Sequence, residues 1–256
     1  MTRPRILLTN DDGIWAPGLA ALMSSISELG EVFVLAPATE MSATGHALSI
    51  RKRQALRQCH RDGCAFGYSF EGTPADCVKF AVAQWMEHPP HLVISGINSG
   101  PNFGTNVPYS GTVAAAIEAA MLGLPGMAVS VGSFKPHGEI DYTAAANVAK
   151  KIAREILANG MAPGTALNVN VPLIPEDQIQ GIKVVPQGGF RIHDHYELTG
   201  GSSEEELWSN VGSELIYTAE GEETDDWAVR NNHIALTPLW YDMTAYKQLE
   251  HWRERF

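Results

Sequence analysis

Four short apolar runs recur along the first half of the chain: Arg5–Thr9 (RILLT), Glu31–Pro37 (EVFVLAP), His91–Gly96 (HLVISG) and Met127–Val131 (MAVSV). Each is bounded by Gly, Pro or Asn, and none alternates, which is the pattern of strands buried on both faces of a parallel sheet. Helical periodicity fills the intervals. From Pro17, the residues Leu19, Leu22, Met23, Ile26 and Leu29 fall on one face, and Gly30 supplies a stop. Thr73 caps a second helix, with Pro74 at its first position, Asp76 in its first turn and Val78, Ala81, Val82 and Trp85 as its buried stripe. A third helix, TVAAAIEAAMLG, ends at Gly123, and a fourth runs from about Asp141 to Ala158. This alternation predicts an α/β fold: a Rossmann-like, mostly parallel sheet with flanking helices and right-handed crossovers.

After Gly160 the pattern loosens. ALNVNVP, IKVVP and HIALTPL read as strands, TGGSSEEELWSN as a polar loop, and TAYKQLEHWRERF as a terminal helix. The expectation is one domain over residues 1–256, with a less compact, protruding C-terminal β extension from about residue 160 that packs on another subunit.

Composition narrows the class. The 256 residues, 45% hydrophobic and 18% charged, are those of an ordinary globular protein. No apolar run approaches the roughly 20 residues of a membrane helix, and no signal-peptide core follows Met1, so the expected setting is the cytoplasm, away from membranes. Cys59, Cys64 and Cys77 are too few for a disulfide framework and are read as reduced thiols. The formal net charge of −11 disfavours a nucleic-acid polymer as partner. It also means that an anionic substrate needs a local reversal of the field, for which a bound cation is the simplest device.

Open α/β sheets bind ligands beyond the carboxyl ends of their strands. Asn10-Asp11-Asp12-Gly13 follows the first strand, Ala38–His46 the second, and Ser95–Thr112 the third. Asn-Asp-Asp-Gly is a sound turn sequence. Two adjacent carboxylates at a strand end can equally share a hard divalent cation, Mg²⁺ or Mn²⁺, which removes their repulsion. Ser42 and Asn98 are turn formers by type, and they also offer the neutral oxygens such an ion accepts. Gly96, Gly100 and Gly104, interspersed with Asn98, Asn102 and Asn106, let backbone approach a ligand. Ser110-Gly111-Thr112 opens the Ala-rich helix, either as a plain N-cap or as a phosphate seat. His46 is a candidate for assisting a leaving group or contacting phosphate; His193, Asp194 and His195 read as a solvated loop. Neither G-x-G-x-x-G nor a GK[ST] P-loop is present.

Taken in order, ILLTNDDGIWAPGL, SATGHALSI, GTPADCVKFA, SGINSGPNFGTNVPYSGTVAAAIEAA and TDDWAVRNNHIALTPL resemble the SurE (survival protein E) family of nucleotidases over almost the whole chain. The resemblance implies a divalent-metal-dependent phosphatase acting on nucleoside 5′-monophosphates, with 3′-nucleotides and polyphosphate open as further substrates. It implies one Mg²⁺ or Mn²⁺ per subunit on Asp11, Asp12, Ser42 and Asn98, and a homodimer or homotetramer with exchanged C-terminal segments. The chain departs from the family pattern at Asn106, where many members carry an acid, and in GGFRIHDHYELTGG, which replaces an Arg/Pro/Tyr/Trp-rich stretch. The mechanism expected is attack of a metal-oriented water, with Asp11 or Asp12 taking its proton and phosphate held at Asn102, Ser110, Gly111 and Thr112. An aspartyl-phosphate route is the chemical rival; a non-catalytic nucleotide- or metal-binding module and an NAD-type oxidoreductase are the rival classes.

Overall fold

The computed structural model describes residues 3–132, 139–202, 205–216 and 223–256. Among these described residues, eleven strands and six α-helices follow in chain order: β1 (Arg5–Thr9), α1 (Pro17–Ile26), β2 (Glu31–Pro37), β3 (Leu56–Arg61), β4 (Cys64–Phe70), α2 (Pro74–Phe80), β5 (Leu92–Asn98), α3 (Gly111–Met121), β6 (Gly126–Gly132), α4 (Thr143–Asn159), β7 (Thr165–Pro172), β8 (Ile182–Val184), β9 (Arg191–Gly201), β10 (Glu206–Ile216), α5 (Asp225–Arg230), β11 (Ile234–Trp240) and α6 (Tyr246–Arg253).

Nine strands form one sheet in the order β3-β4-β2-β1-β5-β6-β7-β11-β8, and β9 and β10 pair as a separate antiparallel ribbon. Within the large sheet only β3–β4 and β7–β11 are antiparallel. The mostly parallel sheet and the C-terminal β pair agree with the sequence expectation. The chain winds from β1 outward to β2 on one side, then crosses to β5 on the other. The strand order therefore reverses beside β1, and the loops after β1 and β5 part there to leave a crevice.

The apolar runs are buried because both sheet faces are covered. Ile6, Leu8, Ile94 and Val129 pack with Leu19, Leu22 and Ile26 of α1 and Ala149, Ile152 and Ile156 of α4. On the opposite face Leu7, Leu35 and Val93 pack with Cys77 and Val78 of α2 and Ala115 and Ala119 of α3. Helix α2 is held by a capping box: Asp76 N–H donates to Thr73 Oγ1 at 3.1 Å, and Thr73 N–H to Asp76 Oδ2 at 2.9 Å. Its predicted continuation through Val82 and Trp85 is a π turn, Ala81–Trp85.

Two hairpins differ from the sequence reading. TGGSSEEELWSN is not a loop: its two ends lie in β9 and β10, while residues 203–204 lie outside the described set. His193, Asp194 and His195 likewise sit on β9, exposed. A ribbon solvated on both faces has no apolar alternation to betray it. The β3–β4 hairpin turns at Asp62-Gly63, whose φ angles of 53° and 77° are both positive, as a type I′ turn requires.

Candidate active site

At the crevice, Asp11 follows β1 and is buried. Thr112, at the start of α3, holds it twice: its N–H donates to Asp11 Oδ2 at 3.0 Å and its hydroxyl to Asp11 Oδ1. The close fit requires glycine next door, because a Cβ on Gly111 would lie 2.9 Å from Asp11 Cβ and 3.1 Å from its Oδ2. Ser110 caps the same helix, its Oγ accepting from Val113 N–H at 3.1 Å. The Thr112 and Val113 N–H groups are thus engaged within the protein, as is that of Ala114, which donates to Ser110 O at 3.0 Å.

Asp12 is half-buried and accepts hydrogen bonds from Ser99, the residue after β5. Burial, and then the charge of Asp11, push its carboxyl from 3.8 up to about 6. Burial raises Asp11 as well, against the bonds from Thr112, and the charge of Glu40 raises both acids further. Tyr142, just before α4, lies in the field of Asp12; burial and that charge raise its phenol.

The loop after β2 reaches the same place, since Met41 N–H donates to Asp11 O at 2.7 Å. Ser42 is exposed on it and donates its hydroxyl to Glu40 Oε1 at 2.6 Å. Asn98, at the end of β5, donates Nδ2 to Gly100 O at 2.7 Å. The Ser42 hydroxyl hydrogen and one N–H of Asn98 are thus engaged, and Ser42 Oγ and Asn98 Oδ1 have lone pairs to offer a cation. Two buried or half-buried carboxylates, Asp11 and Asp12, in the added field of Glu40, form with these neutral oxygens a hard, all-oxygen donor set that suits Mg²⁺ or Mn²⁺. Among the described residues no three His, Cys, Asp or Glu side chains converge in a metal cage; the neutral oxygens have to complete any site here.

Two other candidates are engaged within the protein. Asn102 is buried in a polar network: its Nδ2 donates to Ser130 Oγ at 2.8 Å and its main chain is bound by Asn168 and Asn170. His46 pairs through Nε2 with Glu118 Oε2 at 2.8 Å, and Lys79 Nζ donates to Glu118 Oε1 at 2.8 Å. Glu118 lies eight residues beyond Ser110, roughly 12 Å along the helix axis, and the His46 ring is turned to it, while the neighbouring Gly45 donates its N–H to Tyr109 O at 2.9 Å, beside the start of α3. Glu40, Ser99, Asn168 and Asn170 are residues that sequence reasoning missed. A signal for the last two was present: NVNV places asparagine at every second position of a strand that should be apolar throughout.

A doubly wound α/β protein with a cluster of acidic and neutral oxygen-bearing side chains at its switch point is thereby defined. A family profile described as Survival protein SurE matches residues 6–194. The chain is 42% identical over 246 residues to a protein of Syntrophobacter fumaroxidans named 5′-nucleotidase SurE, covering 96% of this chain and 97% of that one. It is 41% identical over 254 residues to a like-named protein of Heliobacterium modesticaldum, covering 96% and 89% respectively. The crystal structure of the SurE protein from Aquifex aeolicus superposes with a TM-score of 0.83 at 34% identity, over 98% of this chain and 99% of that chain. The chain belongs to the SurE family.

Proposed function

We propose that the protein is a divalent-metal-dependent 5′-nucleotidase, hydrolysing nucleoside 5′-monophosphates to nucleoside and inorganic phosphate. Relatives named 5′-nucleotidase SurE, at 42% and 41% identity over nearly the whole chain, support the activity. What supports the metal site is the donor arrangement: Asp11 and Asp12 repel each other, and the segments that carry Ser42 and Asn98 reach them through Met41 N–H on Asp11 O and Ser99 on Asp12. Those four residues would hold the ion, which when bound supplies the positive charge that draws in phosphate and activates water.

The chain's own groups then divide the work. Both oxygens of Asp11 are engaged by Thr112, so Asp11 is a fixed carboxylate. Asp11 or Asp12 takes the proton of the attacking water; Asp12, half-buried and not gripped by Thr112, is the freer of the two to do so. The N-terminus of α3, at Ser110-Gly111-Thr112, presents its positive dipole end to the phosphate. Asn102 contributes by fixing the loop that leads there. Attacking and leaving oxygens lie in line, so catalysis is chiefly positioning and charge stabilisation.

The assembly reading is carried forward with it. Tyr196, Leu198, Leu207, Trp208 and Val211 of the β9–β10 ribbon are exposed, which supports a homodimer or homotetramer built through the C-terminal extension. Among the described residues no helix is long and apolar enough to cross a membrane.

The test is phosphate release by metal-stripped protein from AMP, GMP, a 3′-nucleotide and polyphosphate, with Mn²⁺ or Mg²⁺ added back. Release from the 5′-monophosphates only with metal is expected. Equal release in excess chelator, or by Asp12→Asn at full rate, overturns the scheme.

A further inference from the structure

One loop residue receives an unusual concentration of buried hydrogen bonds. Asn102 N–H donates to Asn170 Oδ1 at 2.8 Å; Asn102 O accepts from Asn168 Nδ2 at 2.6 Å and from Asn170 Nδ2 at 3.0 Å; and its own Nδ2 donates to Ser130 Oγ at 2.8 Å. Asn168, Asn170 and Ser130 are completely buried. The side-chain amide of Asn170 thus does for Asn102 what a neighbouring strand does for a paired residue, giving one acceptor to its N–H and one donor to its C=O. Asn168 and Asn170 stand two apart on β7 and therefore share a face. In the sheet register Asn98 is opposite Ser130, and Ser130 is opposite Asn170. The clamp lies in the same row as a proposed metal ligand.

Such an arrangement is costly as a mere core filling. Three polar side chains are withdrawn from water, and apolar residues would pack the same strands without that cost. What the arrangement supplies is a fixed peptide in the middle of the loop between Asn98 and Ser110, where no strand partner is available. We infer that Asn168 and Asn170, with Ser130, are positioning residues for the reaction: they hold the Asn102 peptide so that Asn98 and the start of α3 keep their separation. They touch no substrate. The inference rests on the proposed phosphatase reading for its kinetic consequence, but not for the clamp itself.

The decisive comparison uses Asn170→Ala and Asn170→Leu in the full chain, the second filling the volume without hydrogen bonds. Both should unfold cooperatively and exchange the Asn102 amide hydrogen at least tenfold faster than wild type. With AMP and saturating metal, kcat should fall about tenfold while KM changes less than threefold, and Leu should rescue neither quantity. Full kcat, or unchanged exchange at Asn102, in either folded variant overturns the inference, as does rescue by Leu, which would leave packing as the whole role. If both variants fail to fold, Ser130→Ala decides, since it removes only the acceptor of the Asn102 side chain: a fall of about threefold in kcat is expected, and none refutes it. If the wild-type protein releases no phosphate, the functional reading fails while amide exchange still decides the clamp.

Discussion

Thr112 and Asp11, 101 residues apart in sequence, are joined by two hydrogen bonds that use the threonine's main-chain N–H and its side-chain hydroxyl together. One carboxylate is thereby fixed in position and in rotation, at the point where the end of β1 meets the start of α3. A buried carboxylate satisfied this way has little freedom to reorganise when charge arrives, which is the condition for electrostatic preorganisation.

Replacing Thr112 by Val keeps the shape and the N–H but removes the hydroxyl. A hydrogen bond to a charged group is worth about 1.5–3 kcal/mol, and stability measured by urea unfolding should fall by roughly that amount. Turnover of AMP should drop at least tenfold, since the proposed metal-binding carboxylate is no longer held. Thr112→Ser should restore most of both. A Val variant with wild-type turnover would show that the double contact has no part in the chemistry.

The pH response of the metal-free protein follows from Asp12. Its folded-state value of about 6 lies above the ordinary 3.8, so between about 4 and 6 the folded chain binds a proton that the unfolded chain does not. Asp12 therefore lowers stability as pH rises through that window, and the effect levels off above it. Asp11 is shifted in the same direction. A bound divalent ion competes with those protons, so its stabilisation should grow as pH rises from 5 to 7.5. Thermal melts of stripped and Mn²⁺-loaded protein should diverge over that range, and in Asp12→Asn the divergence should shrink. Parallel curves would contradict the assignment.

Glu118 has the opposite sign. Burial alone would raise its carboxyl, but hydrogen bonds from His46 and Lys79 outweigh that and hold it below 4.5. Its stabilisation is therefore complete above the ordinary carboxylate value and is lost as pH falls through the lowered one. His46 and Lys79 are partly exposed, at 30% and 49% of their side chains, which moderates the effect. Glu118→Ala should cost roughly 2 kcal/mol at pH 7 and less at pH 3, measured by denaturant titration. An equal loss at both values would mean packing, not the ion cluster, is what the mutation removes.

How far the sequence carries can be judged from particular segments. β1 and β2 coincide with their apolar runs, β5 and β6 differ from theirs by one or two residues at each end and β7 by one, because strands buried on both faces leave an unbroken hydrophobic signature. Asp11, Asp12 and Asn98 stand out as candidates because their turn-forming neighbours follow those runs directly. The β3–β4 hairpin was missed although Asp62-Gly63 is a strong hairpin turn, since the flanking LRQCHR has no alternation to draw notice. Within the expected C-terminal β extension, TGGSSEEELWSN and the stretch around His193–His195 read as loop because their polar residues hide the strands. Helix α5, at six residues, is too short for periodicity to register. The Asn102 clamp joins residues 66 to 68 positions apart, a separation that no local pattern reports.

Gly111 offers the sharpest separation of stability from function. As the first residue of α3 it is a position where alanine should be tolerated and even favoured, by up to about 1 kcal/mol for a Gly-to-Ala change within a helix. Against this, the new Cβ would lie 2.9 Å from Asp11 Cβ, 3.1 Å from Asp11 Oδ2 and 3.2 Å from Pro74 Cγ. The nearest obstacle is not the far end of a flexible chain, and Pro74 blocks retreat on the other side, so Asp11 has to shift by several tenths of an ångström. The helix gain and the contact strain roughly offset each other in the fold. They do not offset in the site, where the position of one carboxylate sets the approach of phosphate. Gly111→Ala should therefore melt within a few degrees of wild type, yet lose at least tenfold in AMP turnover and bind Mn²⁺ more weakly in a calorimetric titration. Unchanged turnover in this variant would mean that the Asp11 carboxylate tolerates displacement, and that the proposed centre does not depend on it.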